Sequence, residues 1–269
     1  MSFSIQGKTA IVTGAAAGIG LAIARHFADK GANVMFADID EDRLADEIGD
    51  EARGDGPIRM FAGDLCEKLA ISNLLSATMD AFDRVDILVN AARRMAPSDP
   101  LSPDGDAVLE LLRENALGGL RLTQHTAKRM IQWAERNGVE GQPLGSVINL
   151  SSIAVRQTQP ELLGYSVACA AVEQITRSMA IALAPKGIRV NAVAIGSVMS
   201  ASLQSSLKDA PEARQQIIAG TPMGRIAAPD ELAETVQFLA SDASSFITGQ
   251  VLNVDGGRCL AGSVRVPAH

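Results

Sequence analysis

The chain has 269 residues, 47% of them hydrophobic and 20% charged, enough apolar material for one large domain; a disordered, collagenous or disulfide-stapled chain is excluded. Asp and Glu number 31 against 24 Lys and Arg, a formal charge of -7 without a basic block, so neither nucleic acid nor another polyanion is an expected partner. Three scattered cysteines, Cys66, Cys169 and Cys259, and three scattered histidines give no disulfide framework and no sequence-local metal site.

Apolar, β-branched runs alternate with segments of helical period, the signature of repeated βαβ units around a parallel sheet. In chain order the pattern predicts strands at 10–13, 33–37, 58–62, 87–90, 146–150, 189–194 and 251–254. Helices are predicted at 19–29, 41–52, 67–82, 106–137, 165–184 and 230–239. No linker or repeat interrupts this rhythm, so the expected fold is a single α/β domain over 1–269: a doubly wound parallel sheet of about seven strands with helices on both faces. Two breaks follow strand ends. One, 91–105, carries Pro97, Pro100 and Pro103; the other, 196–221, is expected to hold short helices. Doubly wound sheets place their ligands at such ends. The apolar run 162–172 is too short to span a bilayer, and the N-terminus, 1–9, has no basic and apolar leader pattern. No membrane association is expected, and a cytoplasmic location is.

After the first strand comes Thr13-Gly14-Ala15-Ala16-Ala17-Gly18-Ile19-Gly20, with a helix starting inside it. A glycine turn feeding a helix N-terminus offers free backbone N–H groups and a positive dipole end to a pyrophosphate. Tight strand-helix packing is the alternative use of such glycines. The second strand ends at Asp38, near the expected spacing for an acid that accepts the adenosine ribose hydroxyls and repels a 2'-phosphate. NAD is therefore favoured over NADP, although Arg43 lies close beyond the acid. A helix cap is the competing role for Asp38.

The glycine turn, Asp64-Leu65 after the third strand, Asn90-Ala91-Ala92 after the fourth, Asn115, Ser152, Tyr165 and the stretch Gly249 to Gly257 together resemble the classical short-chain dehydrogenase/reductase family, over nearly the whole chain. The resemblance implies a Rossmann-like fold in which Gly14, Gly18, Ile19 and Gly20 cradle the pyrophosphate. It also implies that Asp38 and Ile39 hold the adenosine, Asp64 and Leu65 border the adenine, and Asn90, Ala91, Ala92, Tyr165, Gly196 and Val198 line the nicotinamide half. Ser152 and Tyr165 match the family's catalytic pair, and Asn115 matches the Asn that supports a water chain. The chemistry agrees: a phenol exchanges a proton with an alcohol or ketone oxygen, and a serine hydroxyl polarises it. The implied activity is NAD-dependent interconversion of a secondary alcohol and a ketone.

Three departures cluster at the nicotinamide end. The family's lysine one turn after the tyrosine is Cys169, the glycine after Asn-x-Ala is Arg93, followed by Arg94, and Pro-Gly after the sixth strand is Ile195-Gly196. An unperturbed phenol titrates near ~10, and losing an ammonium that lowers it by two to three units forfeits on the order of 3 to 4 kcal/mol of base strength. Either Arg93 or Arg94 replaces that cation, or both face solvent. Weakened or altered catalysis is expected, with a nucleotide-binding pseudoenzyme, a sensor or subunit, as the alternative. The resemblance also implies a homo-oligomer, tetramer or dimer, and a substrate lid near 196–223 in which Leu203, Leu207, Ile217, Ile218 and Met223 suit a partly apolar substrate.

Overall fold

The structure, a computed structural model, describes residues 3–208 and 210–262. Met1 and Ser2, part of the stretch read for a leader, and the far C-terminus with His269 lie outside the described residues. Seven parallel strands form one sheet: β1 Thr9–Thr13, β2 Asn33–Asp38, β3 Ile58–Ala62, β4 Ile87–Asn90, β5 Gly145–Ser152, β6 Ile188–Ile195 and β7 Val251–Val254, in the spatial order β3-β2-β1-β4-β5-β6-β7. The chain winds outward from β1 through β2 and β3, then restarts on the other side of β1 with β4; Val12 sits in register with both Phe36 and Val89. The chain leaving β1 goes to one face of the sheet and that leaving β4 to the other, the switch point at which such sheets bind ligands.

Helices α1 Gly18–Asp29, α2 Glu41–Ala52 and α9 Pro229–Ala240 cover one face, and α3 Lys68–Phe82, α5 Gly118–Arg136 and α6 Leu163–Leu183 the other. Alternation along each strand explains the two cores. Ala10 and Val12 join Phe27, Phe36, Leu44 and Val236 on one side, while Ile11 joins Met35, Leu74, Met130 and Val190 on the other. Strands buried on both faces need continuous apolar runs, which is why these read without polar alternation.

Two expectations change. The helix expected over 106–137 is not one regular helix: Ala107 turns with φ +52°, α4 covers Val108–Leu111, a π-helical turn covers Leu112–Leu117, and only then does α5 run to Arg136. The π turn is anchored by a tertiary contact of Asn115, described below. Secondly, the stretch from Pro160 to Lys186 is long and apolar enough to cross a membrane by length and composition. In the fold it is a core helix: Ala168, Cys169, Val172, Thr176 and Ala180 of α6 are buried in the domain. The second break contains α7 Ala201–Lys208 and α8 Pro211–Ala219, and its two stems are tied by a bridge between Val198 and Ala227.

Candidate active site

The glycine turn is shaped by close approach as much as by backbone freedom. A Cβ on Gly20 would lie 2.1 Å from the Gly14 carbonyl oxygen, and one on Gly14, at φ +68°, 2.8 Å from Ala92 Cα. Gly18 has φ +58°, and a Cβ there would have Ser200 Cβ as its nearest neighbour, at 3.8 Å, so its requirement is conformational. Helix α1 starts without a side-chain cap and without a carboxylate in its first turn, which leaves its first N–H groups and its dipole available to an anion. Ile19, in that turn, packs against the core.

Asp38 closes the turn from the side. Its Oδ2 accepts from Ala16 N at 2.9 Å, and its Oδ1 accepts from Ile39 N at 2.7 Å and Asp40 N at 3.2 Å. The helix cap is instead Asp40, whose carboxylate accepts from Arg43 N at 3.0 Å. Carboxylate oxygens offer about four acceptor directions, so Asp38 retains capacity for a hydroxyl. Ile39 is exposed beside it. Asp64 Oδ1 accepts from Cys66 N at 2.8 Å, which folds back the Asp64-Leu65 turn.

Thr13, not singled out from sequence, ties the crevice together: its Oγ1 accepts from both Ala91 N and Ala92 N at 3.0 Å. Its place directly before the first glycine was the available signal. Asn90 turns inward, donating to Thr123 Oγ1 at 3.0 Å and Asn149 Oδ1 at 2.8 Å, and Asn149 donates to Thr176 Oγ1 at 2.8 Å. This amide chain braces β4, β5, α5 and α6. Asn90 Oδ1 is buried without a hydrogen-bond partner, and it borders a cavity of about 10 Å³ shared with Asn115, Gly119 and Asn149.

Ser152 ends β5, and its Oγ accepts from Ala154 N at 3.1 Å, capping the short 3-10 turn Ile153–Val155. Tyr165 lies in the first turns of α6, 4% exposed, in an apolar cluster with Leu111, Ala154, Ala168 and Cys169. Burial raises the phenol's pKa above its ordinary value; the positive charge of Arg93 opposes this, Cys169 adds to it, and hydrogen bonding with Ser152 lowers it. Ser152 and Tyr165 thus meet, as the family resemblance implies. Burial likewise pushes the Cys169 thiol up to about 11, with Arg93 opposing, so it is a neutral thiol at physiological pH and no nucleophile.

The tandem arginines diverge. Arg94 points outward and pairs with Glu110 at 2.7 Å and Glu114 at 3.0 Å. Arg93 turns toward the site, where its Nη1 donates to Ser151 O at 3.3 Å. Asn115, in the π turn, clamps the loop between them: its Oδ1 accepts from Arg94 N and its Nδ2 donates to Arg94 O, both at 2.7 Å. Gly196 follows β6 where a Cβ would meet Asp255 Cα at 3.0 Å, and Val198 is buried at the stem of the lid. A larger cavity, about 260 Å³, lies between α8 and the stretch Arg225 to Ala228, lined also by Met199, and shares no residue with the Ser152–Tyr165 pair.

The family model described as enoyl-(acyl carrier protein) reductase matches residues 14–258. The chain is 34% identical over 257 residues to the 3-oxoacyl-[acyl-carrier-protein] reductase FabG of Thermotoga maritima, covering 94% of this chain and 98% of that one. It is 34% identical, over 94% of each chain, to the 7alpha-hydroxysteroid dehydrogenase of Escherichia coli. Among solved structures, a 7alpha-hydroxysteroid dehydrogenase complexed with NADH and 7-oxo glycochenodeoxycholic acid superposes with a TM-score of 0.84 at 31% identity, covering 95% of this chain and 96% of that one. A short-chain type dehydrogenase/reductase from Mycobacterium ulcerans gives 0.85 at 29% identity, with 96% and 91% covered. The fold and these matches define an oxidoreductase of alcohols and ketones. The chain belongs to the short-chain dehydrogenase/reductase family.

Proposed function

We propose that the protein is an NAD-dependent oxidoreductase that interconverts a secondary alcohol and a ketone on a small, partly apolar substrate, with Tyr165 as acid/base, Ser152 as the oxygen's hydrogen-bond partner and Asn115 as support. The observation that carries this reading is the meeting of Ser152 and Tyr165 at the C-terminal edge of the sheet, where β5 ends two strands from the glycine turn after β1. The turn fits a dinucleotide: at Gly14 and Gly20 a Cβ would collide with backbone, and α1 presents an uncapped N-terminus. Gly14, Gly18, Ile19 and Gly20 would hold the pyrophosphate and Asp38 with Ile39 the adenosine, with Asp64 and Leu65 at the adenine. Ala91, Ala92, Gly196 and Val198 would border the nicotinamide half, with Asn90 behind it. Asp38 supports NAD over NADP, because a carboxylate attracts ribose hydroxyls and repels a phosphate. When bound, NAD supplies the hydride acceptor for oxidation and, reduced, the donor.

In oxidation, Tyr165 as phenolate takes the alcohol's hydroxyl proton while Ser152 holds the same oxygen; in reduction, the phenol returns that proton to the developing alkoxide. Cys169 stands where the family carries lysine, so no ammonium lowers the phenol's pKa from that position. Turnover is accordingly weakened or altered. The same observation favours a second reading, a nucleotide-binding sensor or subunit without turnover. We further propose a homo-oligomer, tetramer or dimer, a reading supported by the fully exposed Phe246 and the exposed Ile181 on α6; a monomer by light scattering would contradict it. The functional test is NADH consumption over a panel of ketones by the full chain, by Tyr165→Phe and by Cys169→Lys. Turnover lost in Tyr165→Phe and enhanced at least tenfold in Cys169→Lys supports the dehydrogenase. NADH bound with no turnover in the natural chain or in Cys169→Lys supports the sensor.

A further inference from the structure

A buried phenol that must become an anion needs a positive charge nearby, and α6 supplies none beside Tyr165. We infer that the Arg93 guanidinium is the cation that supports the Tyr165 phenolate, held in place by the double clamp of Asn115 on the neighbouring backbone. This rests on the reading of Tyr165 as the acid/base group.

The geometry runs through two hydrogen bonds. Arg93 Nη1 donates to the Ser151 carbonyl at 3.3 Å, one residue before Ser152. Ser151 Oγ in turn donates to the Cys169 carbonyl at 3.4 Å, one helical turn beyond Tyr165. The guanidinium therefore lies at the seam of β5 and α6, where phenol and thiol meet, and its charge acts on both. The groups that bear on the phenol are Arg93 from the loop after β4, Ser152 from β5 and Cys169 from α6. Glu173, the nearby acid that acts on Cys169, accepts from Ser151 Oγ at 3.3 Å, and its charge is paired with Arg156 at 2.9 Å and Arg177 at 3.4 Å. Arg93 is thus the cation among them.

Its direction has a local cause. Asn115 binds both the N–H and the C=O of Arg94, and Glu110 and Glu114 draw the Arg94 side chain outward, while Arg93, an exposed residue, reaches the Ser151 carbonyl with its guanidinium. The π turn carries Asn115, which makes this clamp. An arginine stays charged throughout the working pH range and its long side chain reaches across from another element. A cation lost from α6 is thereby replaced from the opposite wall. Arg93 acts through Tyr165 and is a positioning residue; Asn115 positions Arg93.

Tyr165 is the only tyrosine in the chain, which permits a test free of turnover. Growth on a fluorinated tyrosine labels Tyr165 alone and brings its titration nearer neutrality, where a single fluorine resonance reads the phenolate fraction of the full chain without cofactor. Arg93→Ala should raise the midpoint by about one pH unit or more, a tenfold loss of phenolate at fixed pH. Arg93→Lys should recover at least half of that shift, and adding Cys169→Lys to Arg93→Ala should bring the midpoint back down. Asn115→Ala should shift it in the same direction as Arg93→Ala, by less. A midpoint unmoved by Arg93→Ala overturns the inference, and one unmoved by Asn115→Ala overturns the clamp. Should Arg93→Ala not fold, Arg93→Gln, which keeps the bulk and a donor, is read by the same criterion. If the midpoint follows Arg93 while the chain turns over no ketone, the electrostatic pairing stands and the dehydrogenase reading fails; turnover with an unmoved midpoint gives the reverse.

Discussion

Replacing Gly20 by Ala puts a methyl group 2.1 Å from the Gly14 carbonyl oxygen, and Gly14 itself is packed against Ala92 with no room to retreat. About 0.9 Å must be recovered before the contact reaches even the tightest normal distance, and the backbone that must move is the cradle itself. A misplacement of about 1 Å in a binding constellation costs on the order of a hundredfold, so Gly20→Ala should weaken NADH binding by about that factor, roughly 2.7 kcal/mol. Gly18→Ala is the control, because its Cβ would make only an ordinary contact with Ser200 Cβ at 3.8 Å and the penalty is that of the left-handed conformation, about 1 to 2 kcal/mol. That cost falls mainly on folding and should lower Tm by roughly 2 to 8 °C, with NADH affinity reduced less than tenfold in the folded protein. Calorimetric titration beside thermal unfolding separates the two. Equal losses of affinity in both variants, or an unchanged affinity in Gly20→Ala, would refute the assignment of this turn as a phosphate cradle.

In the proposed mechanism Tyr165 accepts a proton as phenolate in alcohol oxidation, and since burial raises its pKa, the rise of kcat/KM with pH should be displaced upward. Cys169→Lys should bring that rise down by about one pH unit or more, and a pH profile unmoved by the substitution would contradict the role given to Tyr165. Asp38→Asn removes the charge that repels a 2'-phosphate while keeping one acceptor oxygen; the NADPH-to-NADH affinity ratio should rise about tenfold, and an unchanged ratio would remove Asp38 from the adenosine site. Arg156→Ala leaves the buried Glu173 carboxylate with its 3.4 Å contact to Arg177 and a 3.3 Å hydrogen bond from Ser151 Oγ, which should cost about 3 kcal/mol and lower Tm by roughly 6 to 12 °C. A Tm within 1 °C of the natural chain, on that scale about 0.3 kcal/mol, would show the pair to be dispensable.

The sheet was legible because its central strands are buried on both faces and must read as apolar runs, and the half-buried edge strands β3 and β7 are short and mostly apolar: every strand but β5 lies within a residue of its expected bounds. β5 was read short because Ser151 and Ser152 look like the start of a loop, yet both stay paired with β6, opposite Ala194 and Ile195. The glycine turn and Asp38 were legible because their chemistry is local. What escaped depends on contacts between distant segments. Nothing in 112–117 announces a π turn, since the turn is pinned by the Arg94 backbone 21 residues away. The opposite fates of Arg93 and Arg94 were undecidable for the same reason: Glu110 and Glu114 capture one, and the Ser151 carbonyl receives the other. Thr13 escaped because a lone threonine at a strand end has many uses, and its two amide partners belong to the loop after β4.

The central claim is that an orthodox adenosine and pyrophosphate site persists beside an altered nicotinamide end. Calorimetric titration of the full chain with NADH, and in parallel with NADPH, tests it most directly. One equivalent of NADH should bind at least tenfold more tightly than NADPH. Binding of neither nucleotide would show that Arg93, Cys169 and Ile195 have closed the crevice, and the account of this protein as an NAD-dependent enzyme would fall.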